Sequence, residues 1–125
     1  MWPPIQNAVQ SSAAARAVLG TKPIRFYEFG SVPEVSGAAV KPYATWQVIN
    51  GSPENYLNRL PDMDGMTLQV DVFGTDRNET TRAAVAIRDA IEAHAHITFW
   101  RSMGQDKQTK LFRFTFTIDW FNPRT

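Results

Sequence analysis

Residues 66–94 read MTLQVDVFGTDRNETTRAAVAIRDAIEAH, a strand pattern that runs directly into a capped helix. Met66, Leu68, Val70 and Val72 alternate with Thr67, Gln69 and Asp71. This period of two buries one face of a strand and wets the other. Gly74 ends the alternation. Asp76-Arg77-Asn78-Glu79 then has capping-box spacing, with Asp76 placed to accept from the amide of residue 79 and Glu79 to reach back. Beyond it the period becomes 3.6. Ala84, Ile87, Ile91 and His94 form one stripe, with Ala83 and Ala90 beside it, and predict a helix over 78–94. Nothing in this stretch is catalytic chemistry; it is scaffold.

Working outward, Pro3 and Pro4 suit the first turn of a helix marked by Ile5, Ala8 and Val9. Ser11 or Ser12 can cap a second run, Ala13 to Leu19, stopped by Gly20, as a separate helix or as the continuation of a bent one. Strands are expected at Ile24–Phe29 and Tyr43–Asn50, separated by an irregular, Pro- and Gly-containing connection. A short strand is expected at Ile97–Arg101, followed by a polar turn over Ser102–Thr109. In the final strand, Lys110–Phe121, one face carries Phe112, Phe114, Phe116, Ile118 and Trp120 and the other Arg113, Thr115, Thr117 and Asp119. So aromatic a face requires a cover. The expected fold class is α+β: a mostly antiparallel four- to five-stranded sheet with helices packed on one face, forming one domain over residues 1–125.

The bulk numbers narrow the function classes. A chain of 125 residues buries roughly two-thirds of its unfolded surface, and 8 Phe, 4 Trp and 3 Tyr can fill such a core. Thirteen basic against 12 acidic residues give a net charge of +1, without the basic excess of a nucleic-acid binder. The absence of cysteine removes disulfides, thiolate metal sites and cysteine nucleophiles. No secretory pattern opens the chain and no window approaches ~18 uninterrupted apolar residues, so a soluble intracellular domain is expected.

Motifs with chemistry are weak. His94 and His96 fall at a helix end and a strand start, which points them apart, and no third metal ligand lies nearby. His94 is better placed to favour the helix C-terminus. Asp62 and Asp64 sit in a loop holding Pro61 and Gly65, where acids are ordinary turn formers. No G-x-S-x-G elbow and no phosphate loop is present. No catalytic, cofactor-binding or metal-binding residue is assigned. Two segments stand apart. Gly51–Gly65 far exceeds the roughly 2–5 residues of a hairpin connection and carries Asn55, Tyr56, Asn58, Arg59, Asp62 and Asp64. Arg101–Lys110 sets Arg101, Lys107 and Lys110 against one acid, Asp106.

The helical region ending at Gly20, the Lys41-Pro42-Tyr43-Ala44-Thr45-Trp46-Gln47-Val48 strand, Leu68-Gln69-Val70-Asp71-Val72-Phe73-Gly74-Thr75-Asp76 leading to the Glu79–Ala93 helix, and the closing Phe116-x-Ile118-x-Trp120 strand follow one another in a distinctive order. This order resembles the tail-completion, or tail-terminator, proteins of long-tailed bacteriophages and prophages. The resemblance covers essentially the whole chain and its motifs are structural. It implies a non-enzymatic virion protein without cofactors that closes into a hexameric ring on the major tail tube protein and meets a head-completion or connector protein. It also implies a place at the head-proximal end of the tail, after assembly in the host cytoplasm, with no membrane and no specific nucleic-acid partner. The candidate subunit or tube contacts are Asn55, Tyr56, Arg59, Asp62 and Asp64, with Arg101 and Lys107. The competing expectations are a head-side neck protein and a small ligand-binding α+β domain.

Overall fold

In the computed structural model, which describes residues 5–20, 24–30, 41–50 and 66–120, the stretch that opens at Met66 becomes strand β3 (Met66–Gly74) and helix α3 (Arg77–Ile91). Before them come helices α1 (Ile5–Gln10) and α2 (Ala13–Leu19) and strands β1 (Phe26–Glu28) and β2 (Tyr43–Asn50); after them come β4 (Ala95–Gln105) and β5 (Phe112–Trp120). The sheet order is β1-β2-β3-β5-β4, so β3 is central. Every pairing is antiparallel except β1 with β2. Antiparallel strands in one sheet with helices packed over one face make the α+β class expected from the sequence.

Register explains the core. Leu68 lies between Val48 and Ile118, Val70 between Trp46 and Phe116, and Val72 between Ala44 and Phe114. All but Val48 are buried, and Val48 packs against the cluster. On α3 the 3.6-residue period delivers Ala83, Ala84, Ala86, Ile87 and Ile91 to the same core, the small alanines letting the helix lie close to the strands. α1 contributes Ile5 and Val9, and α2 contributes Ala15 and Leu19. Each fully buried side chain of Val, Ile, Leu or Phe size contributes about 1.5–3 kcal/mol over its exposed state.

The junctions are held by polar side chains. Gln6 of α1 donates from Nε2 to Phe26 O (2.8 Å) and accepts from Trp46 Nε1 at Oε1 (3.0 Å), tying the helix to β1 and β2. Arg25 donates to Pro42 O (2.7 Å) and to Val18 O (3.1 Å). Ser12 caps α2 through Ala15 N (3.2 Å), and Gly20, at φ 87°, closes it with its amide on Arg16 O (2.8 Å), so the N-terminal region is two helices. At α3 Asp76 accepts from Glu79 N (2.8 Å), as the spacing predicts. Glu79 reaches back one residue further than expected, accepting from Thr75 N (2.9 Å) and Thr75 Oγ1 (3.0 Å). Gly74 is required here by close approach: a Cβ would meet the Thr80 hydroxyl, which donates to Asp76 O (2.7 Å).

Three elements differ most from expectation, while α3 begins one residue early, at Arg77, and β5 two residues late, at Phe112. α3 ends at Ile91, not His94; His94 stands in the short reversal before β4, its amide on Ile91 O (2.8 Å) and its ring stacked on Trp120 at 5.9 Å. β1 spans only Phe26–Glu28. β4 is 11 residues, Ala95–Gln105, where a short strand over 97–101 was expected. Bulges between Ile97 and Phe99 and between Ser102 and Gly104 break its period-two alternation, which conceals the strand from pattern reading. No helix among the described residues is long and apolar enough to cross a membrane.

Candidate assembly surface

The face of the sheet turned away from the helices carries the polar halves of the strand patterns. Thr67 pairs with Asp119, Gln69 with Thr117 and Asp71 with Thr115, so the two polar rows of β3 and β5 form one surface. Thr67 Oγ1 donates to Asp119 Oδ1 (2.8 Å), and the Thr98 and Thr117 hydroxyls lie 2.8 Å apart. At its centre Asp71, with a side chain only 6% exposed, accepts from Arg113 Nη2 (2.9 Å) and Nε (3.1 Å) and from Gln69 Nε2 (3.0 Å). Arg113 keeps 41% of its side chain exposed. A buried carboxylate is tolerated because three donors replace its water.

The two polar rows, Thr67, Gln69 and Asp71 with Thr115, Thr117 and Asp119, are legible in the sequence as faces able to line an interface or a lumen; the pairing of Asp71 with Arg113 is not. Period two puts Asp71 and Arg113 on wet faces of their strands, but only the register brings them together diagonally. Phe29, Gly30, Tyr43, Thr45, Gln47 and Phe73 complete the walls of a shallow groove of about 370 Å³ around the pair, with Tyr43 and Phe73 stacked at 5.0 Å. A second groove of about 560 Å³ runs between the α1–α2 junction and the end of α3, where His94 and Trp120 form one wall.

Of the predicted contact residues, Arg101 lies exposed on β4 opposite Thr115, and Lys107 lies exposed in the β4–β5 turn. Asn55, Tyr56, Arg59, Asp62 and Asp64 lie outside the described residues. The turn is an ordered structure. Asp106 accepts at Oδ1 from the amides of Gln108 (2.7 Å) and Thr109 (3.0 Å), and its own amide donates to Leu111 O (2.8 Å). The backbone amides of Thr109 and Gln108 hold the Asp106 carboxyl below its ordinary pKa. Lys110 closes the turn at φ 65°, with its amide on Asp106 O (2.8 Å).

His94 and His96 are separated as expected, one on Trp120 and the other paired across the strands with Asp119. Among the described residues no three His, Cys, Asp or Glu side chains gather in a metal-binding group. Arg88 lies over the Trp100 ring at 5.0 Å and Arg77 over the Phe112 ring at 5.8 Å, so two of the cations are covers for aromatic rings. The surface offers shape, hydrogen bonds and charge, which suits binding.

Comparison with known proteins agrees. The chain matches the family profile of tail completion protein gp17 over residues 3–122. No curated protein sequence matches. Among solved structures, the fold is similar to that of a chain in the virion of a native gene transfer agent particle. The TM-score is 0.55 at 14% identity, covering 91% of this chain and 87% of that one. At that identity the likeness is one of fold. The profile match, which leaves out only a few residues at each end, shows that the protein belongs to the tail completion protein gp17 family, a family of phage virion structural proteins.

Proposed function

We propose that the protein closes the head-proximal end of a phage tail tube as a homo-oligomeric ring, a hexamer by resemblance, which ends tube growth and offers the surface on which the head is joined. The observation that carries this is the family match over residues 3–122. The role is non-enzymatic, and its partners are the major tail tube protein on one side and a head-completion or connector protein on the other. Assembly takes place in the host cytoplasm before the protein becomes part of the virion.

The connection from β2 to β3 supports an arm in this assembly. The two strands are antiparallel neighbours, so roughly 2–5 residues would join them; residues 51–65 lie between Asn50 and Met66 instead. Asn55, Tyr56, Arg59, Asp62 and Asp64 in this connection, with Arg101 and Lys107 as further contacts, are proposed to reach the neighbouring subunit or the tube. Replacing Gly51–Gly65 by a tight turn tests this. The expected product is a folded protein with a cooperative unfolding transition that no longer terminates tails or forms rings by light scattering. Tails of normal length joined to heads with the shortened protein would refute the arm. Normal tubes that fail only at head attachment would instead favour a head-side neck role.

A further inference from the structure

The large apolar side chains left most exposed among the described residues are Phe29 (62%), Ile49 (48%), Phe99 (46%) and Met103 (47%). None lies on a helix. Phe29 extends β1 by one residue, its amide donating to Trp46 O (2.8 Å). Ile49 sits at the bulge of β2, beyond the last β1 partner. Phe99 and Met103 belong to β4. In the order β1-β2-β3-β5-β4 these are the two opposite margins of the sheet. Single exposed apolar residues are ordinary on any surface; here they are sorted to the two ends, with a polar field between them.

We propose that these margins are the two halves of one contact: the β4 margin of one copy packs against the β1–β2 margin of the next, head to tail. This rests on the self-association proposed above and assigns the surface that performs it.

Charge disfavours like margins. β4 holds no acid and one fixed charge, Arg101, while Phe26–Phe29 holds no base and one acid, Glu28. Pairing like margins sets Arg101 against Arg101 or Glu28 against Glu28; pairing unlike margins avoids both. Arg101 stands opposite Thr115 on the face away from the helices and Glu28 opposite Trp46 on the helix face, so the two differ in sign without forming an ion pair. Like-charge juxtaposition is how interfaces reject wrong partners. Sidedness agrees. Phe29 lines the groove on the face away from the helices, and Phe99 stands opposite Thr117 on that same face. In a sheet continued from copy to copy, both rings fall on one side.

The backbone restricts the contact further. A long regular edge would pair indiscriminately. The two bulges of β4 leave Phe99–Ser102 as its regular central stretch. β1 is short as well, Phe26–Glu28 with the Phe26 carbonyl already taken by Gln6 Nε2, so the contact rests on side chains more than on backbone pairing. A heterologous contact of this kind leaves one free margin at each end of any open chain of copies, so growth ends only when the ring closes.

The test uses the full chain with Phe99→Asp and Phe29→Asp, each checked for an unchanged unfolding transition and followed by light scattering against concentration, alone and mixed. Each variant alone should associate roughly thirty-fold or more weakly than wild type, the loss typical of a hot-spot side chain. The equimolar mixture should form dimers and nothing larger, because each variant retains the margin the other lacks. Dimers of Phe29→Asp alone would mean that β4 pairs with β4 and would overturn the head-to-tail contact. If wild type and both variants form rings equally, the margin assignment fails while the ring stands. If wild type alone is monomeric, the chain's lack of cysteine allows Phe29→Cys/Phe99→Cys protein to be oxidised in assembled tails. A ladder of linked copies supports the contact. Linkage absent there, with adjacent copies still captured by an amine-reactive crosslinker, overturns the margins alone; no capture by either overturns the ring as well.

Discussion

At the scale of the residue, Asp71 and Arg113 are bonded to each other but differ in what they can recover if separated. The Asp71 side chain is 6% exposed and that of Arg113 is 41% exposed. Removing Asp71 frees a guanidinium that can turn to water. Removing Arg113 strands a carboxylate in the sheet with Gln69 Nε2 (3.0 Å) as its main remaining side-chain donor. Arg113→Ala should therefore destabilise the protein by about 1–3 kcal/mol, the cost of leaving a buried polar group short of a partner, and Asp71→Ala by clearly less. Urea denaturation of the two variants measures this; equal losses would show that the pair acts only through packing. Arg113 was legible in the sequence as a wet-face residue of the last strand, and Asp71 as its counterpart in β3. Their pairing was not, because it depends on the register between strands more than 40 positions apart, which no local pattern encodes.

At the scale of the element, strands and helices whose periodicity was uninterrupted could be read closely from the sequence. β2 at Tyr43–Asn50 and α2 at Ala13–Leu19 fall where the pattern places them, and α3 begins at its capping box. β4 could not, because each bulge turns the following side chains to the opposite face. Its hairpin with β5 also hides its order in polar residues. Asp106-Lys107-Gln108-Thr109 resembles a loose loop in composition, yet the Asp106 carboxylate collects two backbone amides. These amides lower its pKa, so the folded turn favours the ionised form. Its contribution is present above the ordinary aspartate pKa and is lost as pH falls through the lowered folded value. The amide resonances of Gln108 and Thr109 should titrate with a midpoint below that of a free aspartate, and their exchange with solvent, corrected for its intrinsic pH dependence, should quicken below it. Asp106→Asn should abolish the titration. Resonances that stay fixed through the acid range would mean that the carboxylate does not organise the turn.

At the scale of the molecule, a nearly neutral chain with its apolar side chains at the sheet margins should assemble through contacts that salt barely touches. The 13 basic and 12 acidic residues nearly cancel, and the proposed margins carry one charge each, Arg101 and Glu28, on opposite faces of the sheet. Even a direct exposed ion pair would contribute only about 0.2–1 kcal/mol and be screened by salt, so raising ionic strength from low to moderate should shift the self-association constant by less than about tenfold. A protein whose assembly rested on phosphate contacts would behave differently, losing roughly 10³–10⁵ in affinity over a fourfold rise in salt. Light scattering at two salt concentrations separates the cases. Assembly that collapses with salt would move the weight of the contact from Phe29, Ile49, Phe99 and Met103 to the charged tip of the β4–β5 hairpin, where Lys107 and Lys110 stand exposed. Assembly that strengthens slightly would agree with apolar margins, since salts excluded from protein surfaces favour burial. The same measurement bears on the connection from β2 to β3. Arg59, Asp62 and Asp64 make any arm contact more salt-sensitive than the margins, so a two-step response would assign the first loss to the arm and the residual association to the sheet.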